Sequence, residues 1–122
     1  MKKIYHLTTC GTNQRIIKEL GGLNDFEKQN IKASPITEKQ VDEMKEMAGS
    51  YEALFSRRAM KYRSMGLADQ TLTEKDYRRL ITEEYTFLKR PVLIIEDEIF
   101  IGNAKKAVEG AKAKLADNGA GS

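Results

Sequence analysis

The chain has 122 residues, 40% hydrophobic and 32% charged, and its 21 basic and 18 acidic residues give a formal net charge of +3. That length supports one core and not two, and the composition excludes a disordered chain and gives no basic footprint for nucleic acid. No apolar run approaches the roughly 20 residues of a membrane span, "MKKIYHLTTCG" is too short an apolar run for a secretory signal, and the expected compartment is the cytoplasm.

In chain order, "KKIYHL" (2 to 7) reads as a strand and "NQRIIKEL" as a helix with Ile16, Ile17 and Leu20 on one face, stopped at Gly21-Gly22. "NDFEKQNI" (24 to 31) is a second strand. Thr37 with Gln40 three residues later forms a capping box that opens a helix carrying Val41, Met44, Met47 and Ala48. Residues 50 to 69 read as shorter helical pieces with Tyr51, Leu54 and Phe55 turned inward. Thr73 caps a helix expected to run through Tyr77, Leu80, Ile81, Tyr85 and Leu88. "PVLIIEDEIFIG" (91 to 102) has the pattern of a β-hairpin, and Asn103 caps a last helix with Ala104, Ala107, Val108, Ala111 and Leu115. The tail, 117 to 122, is expected to fray.

The order β-α-β, helices, hairpin, helix predicts an α/β protein with a four-stranded mixed sheet. This is the thioredoxin-like layout, in a single domain spanning residues 1–122 with an all-helical insertion at about 37–88. The only cysteine, Cys10, then falls after the first strand and just before the first helix. With no second cysteine for a disulfide, it is either a buried packing residue or a working thiol. Helix N-termini present unpaired N–H groups and partial positive charge, which favour a thiolate and a bound anion. Gly11 allows a tight turn, Thr12 and Asn13 offer side-chain hydrogen bonds, and Arg15 is a cation within one turn. That polar loop is a poor apolar niche, which favours the working thiol. His6 is either an imidazolium that stabilises the thiolate or a neutral core histidine.

"IYHLTTCGTNQRIIKEL", "SPITEKQVDEM", "LFSRRAMKYRSMGL" and "KRPVLIIEDEIFIG", in that order, resemble the arsenate reductase-like branch of the thioredoxin superfamily, which also holds the Spx-type transcription regulators. The resemblance covers about residues 2 to 115. It implies a thioredoxin-like sheet with a helical insertion and one nucleophilic cysteine in His-x-x-x-Cys-Gly-Thr, here His6, Cys10, Gly11 and Thr12. By that resemblance the Cys10 thiolate attacks an oxyanion such as arsenate, glutathione is the co-substrate, and glutaredoxin recycles the mixed disulfide. No bound cofactor and no metal are expected. Arg90 matches the arginine before the family's proline, Pro91, whose peptide bond is expected to be cis and to face the cysteine. Arg58 matches an arginine of less-characterised relatives and is either a further oxyanion ligand or part of a solvated face with Arg57. Ser56 and Gly102 stand where the reductases carry two other arginines. A binding protein for RNA polymerase, or a related thiol protein without arsenate activity, is the alternative implied function. The C-x-x-C switch of such regulators is absent here, because Asn13 occupies the second position.

Overall fold

The computed structural model describes residues 1–120, with side chains described to residue 117. The elements are β1 (Lys2–His6), α1 (Gly11–Glu19), β2 (Glu27–Asn30), α2 (Glu38–Ala48), α3 (Met60–Ser64), α4 (Glu74–Glu83), β3 (Val92–Ile95), β4 (Glu98–Ile101) and α5 (Lys105–Ala120). Three single 3₁₀ turns, at Glu52–Leu54, Leu67–Asp69 and Tyr85–Phe87, complete the helical region between β2 and β3. The strands form one sheet in the order β2-β1-β3-β4. β1 runs parallel to β2 and antiparallel to β3, and β3 antiparallel to β4. A mixed four-stranded sheet with an all-helical insertion is the thioredoxin-like fold that the element order predicts. The chain divides into two compact units, Met1–Ser34 with Arg90–Ser122, and Pro35–Lys89.

In the sheet unit, Ile4, Leu93 and Ile95 cluster with Leu23, Phe26 and Ala111, and Ile17, Leu20, Phe100 and Leu115 pack against them. Strand side chains alternate between faces, so His6 lies on the same face as Ile4, the one that α1 and α5 cover. The link from α1 to β2 needs the left-handed region at Gly21 (φ +84°) and Gly22 (φ +87°), where the N–H of Gly22 donates to the Ile17 carbonyl. Any residue with a Cβ is strained there, which is why this helix ends on two glycines.

In the helical unit, Thr37 and Gln40 form the reciprocal capping box that their spacing predicts, and Thr73 and Asp76 form a second one at the start of α4. α4 stops at Glu83, short of the expected run through Leu88. Glu84 is extended, Phe87 stacks on Phe55 with centroids 5.1 Å apart, and Leu88 forms an isolated antiparallel bridge with Phe55. Flanking backbone bonds, Ser56 to Phe87 and Lys89 to Leu54, fix this pairing. The apolar period of Tyr85 and Leu88 therefore continues the core but not the helix. The second strand is likewise shorter than its apolar pattern, and the last helix begins at Lys105 with Ala104, not Asn103, at the cap position. α5 extends to Ala120, and residues 121 and 122 of the expected tail lie outside the described residues.

Asp42 and Arg78 join α2 to α4: Nε and one Nη of Arg78 donate to the two Asp42 oxygens at 2.8 and 3.0 Å, and the Tyr51 hydroxyl donates to the same carboxylate at 2.6 Å. The Arg78 hydrogen bonds, followed by that of Tyr51, hold the Asp42 carboxyl at about 2 instead of 3.8. A folded-state value below the unfolded one gives stability that is present above about pH 4 and lost as pH falls through about 2. The difference in urea midpoint between the wild type and Asp42→Asn is therefore expected to shrink over that window. Because both side chains are a third or more exposed, the difference will be small at any pH. A difference that does not change with pH would reject the pairing.

Candidate functional site

Cys10 is half-buried, a free thiol, and the N-cap residue of α1, with extended backbone (φ −92°, ψ 111°) and no capping hydrogen bond from its side chain. Its carbonyl accepts from Gln14 N–H at 3.1 Å, the first bond of the helix. The N–H groups of Gly11, Thr12 and Asn13, in the first turn, have no acceptor among the described residues. The thiol thus sits beside three backbone donors and the positive end of a nine-residue helix.

The loop before the helix is held by one peptide unit. The Leu7 N–H donates to Asn13 Oδ1 at 3.0 Å, and the Leu7 carbonyl accepts from Cys10 N–H at 3.2 Å and from Gln14 Nε2 at 3.0 Å. Asn13, 1% exposed, therefore braces the loop through its side-chain oxygen. Sequence reading missed Gln14 and Leu7, because their contacts exist only once residues 7 and 14 are brought together by the turn. Asn13→Ala strands a buried N–H and is expected to destabilise the fold by about 1–3 kcal/mol in urea unfolding. A change under about 0.5 kcal/mol would mean the brace is dispensable.

The sheet register brings the second segment. Tyr5 lies opposite Val92, so Pro91 and Arg90, which directly precede Val92, enter β3 at the end of the sheet where β1 leaves for the Cys10 loop. The Arg90-Pro91 peptide bond is cis, as expected, and Pro91 is buried with its carbonyl accepting from Gly102 N–H at 2.8 Å. Gly102 thus reaches the same end of the sheet, at φ +86°, a conformation that strains an arginine as it does any residue with a Cβ. The end of the sheet at which β1 leaves for the loop therefore gathers Cys10, the α1 N-terminus, Arg90 and Pro91.

Arg15 and His6 take different positions. Arg15 is exposed and reaches along α1 to Glu19 at 3.9 Å. His6 is 5% exposed and its Nδ1 has no hydrogen-bond partner. Burial is the main cause that lowers its pKa, the neighbouring Leu7 backbone opposes that, and the Lys28 charge lowers it further. His6 is thus held toward the neutral form, closer to the core-histidine reading than to the imidazolium. Arg58 belongs to the helical unit and lines a pocket there with Arg57 and Arg63. Among the described residues there is no cluster of three or more His, Cys, Asp or Glu able to hold a metal, and no helix long and apolar enough to cross a membrane.

The ArsC family model matches residues 5–111. A protein of Streptococcus mutans described as a possible arsenate reductase is 27% identical, with a TM-score of 0.70 over 89% of this chain and 98% of that one. A Staphylococcus aureus protein solved by NMR is 24% identical, with a TM-score of 0.73 over 90% of this chain and 97% of its own. An arsenate reductase from Vibrio cholerae is 17% identical, with a TM-score of 0.72 over 90% and 96%. The last two likenesses speak for the fold alone. No curated protein matches the sequence.

Proposed function

The chain belongs to the ArsC family of thioredoxin-fold thiol proteins, and on that premise we propose that it is a thiol-dependent oxidoreductase of the arsenate reductase type. The observation that carries the reading is the placement of Cys10 as N-cap of α1, beside three backbone N–H groups that have no acceptor among the described residues, at the end of the sheet where the Arg90-Pro91 turn leads into β3. A tetrahedral oxyanion needs both features: N–H donors for its oxygens and a fork-shaped cation for its charge.

The Cys10 thiolate attacks the arsenic of arsenate and an oxygen leaves as water, giving a thiol-arsenate adduct. Gly11, Thr12 and Asn13 N–H groups and the Arg90 guanidinium hold the oxygens, so charge built up during the attack meets donors already in place. Glutathione attacks the Cys10 sulfur. The As–S bond breaks with its electron pair on arsenic, which leaves as arsenite, and Cys10 is left in a mixed disulfide with glutathione. Glutaredoxin with a second glutathione then restores the thiol. Two thiols supply the two electrons, one from Cys10 and one from glutathione, so a single cysteine in the chain suffices.

The test is arsenate-dependent turnover with glutathione and glutaredoxin, together with the rate of Cys10 alkylation with and without arsenate or sulfate. Either anion is expected to protect the thiol, and Arg90→Ala to remove most of that protection by deleting a charge-assisted donor worth about 1.5–3 kcal/mol, roughly ten- to a hundredfold in anion affinity. Alkylation at equal rates with and without anion in the wild type would sink the site. Protection without turnover would leave an oxyanion site on a protein with another role, such as the polymerase-binding alternative.

A further inference from the structure

Within the helical unit, the segment from Arg57 to Ala68 lines a pocket of about 740 Å³, walled by Arg57, Arg58, Ala59, Met60, Tyr62 and Arg63 among others. Its cations fall into two groups. Arg57 is committed, donating to Glu52 at 2.7 Å and to the Tyr77 hydroxyl at 3.0 Å, and nearby Lys61 pairs with Glu84 at 2.6 Å. The guanidinium groups of Arg58 and Arg63 are exposed, and among the described residues they make no ion pair and no hydrogen bond. No carboxylate lines the pocket. Between the two arginines stands Met60, 89% exposed and the most exposed large apolar side chain of the described residues, with Met65 a little further on at 49%.

Apolar walls and two uncommitted guanidiniums call for a ligand with both an apolar body and negative charge. A small inorganic anion would fill little of such a volume and leave Met60 and Ala59 wet. A nucleic acid needs a continuous basic track, and the surroundings offer Glu52, Glu84 and Asp69 in a chain of net charge only +3. Methionine at a binding surface adapts to apolar side chains of varied shape, and arginine is enriched where carboxylates are recognised. We propose that this pocket docks an acidic segment of a partner protein, with one aliphatic or aromatic side chain seated against Met60 and Ala59 and flanking carboxylates on Arg58 and Arg63. The proposal is argued from this pocket's own residues, and its test reads binding of the peptide and not the oxyanion chemistry of Cys10.

The probe is a short dye-labelled peptide of Asp, Glu, Leu and Phe, titrated with the full chain by fluorescence anisotropy. Saturable binding is expected to weaken at least about tenfold in the double variant Arg58→Glu, Arg63→Glu, since one lost charge pair alone is worth that much. Met60→Ser, or a peptide with Ser in place of Leu and Phe, is expected to weaken it several-fold, and added salt to weaken it further. All three side chains are exposed, so urea unfolding of the variants should match the wild type. The proposal is overturned by no saturable binding, or by binding that the variants leave unchanged. It is also overturned if a single-stranded oligonucleotide of equal charge binds as tightly as the peptide and Met60→Ser costs nothing, which would mark a general polyanion surface.

Discussion

Cys10→Ser is expected to lower arsenate-dependent turnover by at least about a thousandfold while leaving the protein folded. Oxygen in place of sulfur removes both halves of the proposed reaction. A serine hydroxyl stays protonated at neutral pH, and an oxygen cannot form the mixed disulfide through which glutathione delivers its electron. The usual objection to such a variant, that it fails by unfolding, is answered by the geometry. Cys10 is the N-cap of α1 and makes no capping bond, and serine is among the best residues at that position. The variant should therefore unfold at the same urea concentration as the wild type or higher. Turnover that survives in Cys10→Ser would remove the thiol from the reaction. Lost turnover with an unchanged unfolding midpoint places the defect in chemistry and not in folding.

The parts of this molecule legible in the sequence are those decided within a few residues of chain. Thr37 with Gln40 announces α2 because both partners of the capping box lie within one turn, and Gly21-Gly22 announces the end of α1 because left-handed backbone is a local demand. Cys10 is legible as a candidate nucleophile for the same reason, since strand, polar loop and helix adjoin it directly. What was not legible depends on pairings across the chain. Leu88 continues the apolar period of α4, yet it pairs with Phe55, and that long-range bridge decides its conformation against the local pattern. Asn13 reads as an anion ligand from its loop position, and only the fold reveals the Leu7 N–H that its oxygen accepts. His6 reads ambiguously because charge state depends on burial. The cis Arg90-Pro91 bond was accessible only through family resemblance, since an X-Pro pair in sequence is compatible with either isomer. The pocket around Met60 gave no signal, because an Arg-rich run looks the same whether its guanidiniums are paired or free.

The largest stability effect expected is in the helical unit, at Phe55. Its side chain is fully buried and meets three other rings: Phe87 stacked at 5.1 Å, Tyr77 tilted at 4.8 Å and Tyr62 edge-on at 6.0 Å between centroids. Its backbone also carries the bridge to Leu88. The short 3₁₀ turns on either side each bury one large side chain, Leu54 and Phe87, and this ring is where the turn at Glu52–Leu54, α3, α4 and the turn at Tyr85–Phe87 meet. Phe55→Ala removes the ring and leaves a cavity among groups that cannot all collapse inward, at a cost of about 3–5 kcal/mol. Against a total of roughly 5–15 kcal/mol for a domain, that is enough to unfold much of the population under mild denaturant. Phe55→Leu keeps most of the apolar volume and should cost less, about half as much. The measurement is urea unfolding followed by far-UV circular dichroism. A loss below about 1 kcal/mol for Phe55→Ala would show that the rings around it repack, and that the helical unit is held by its capping boxes and the Asp42–Arg78 pair instead.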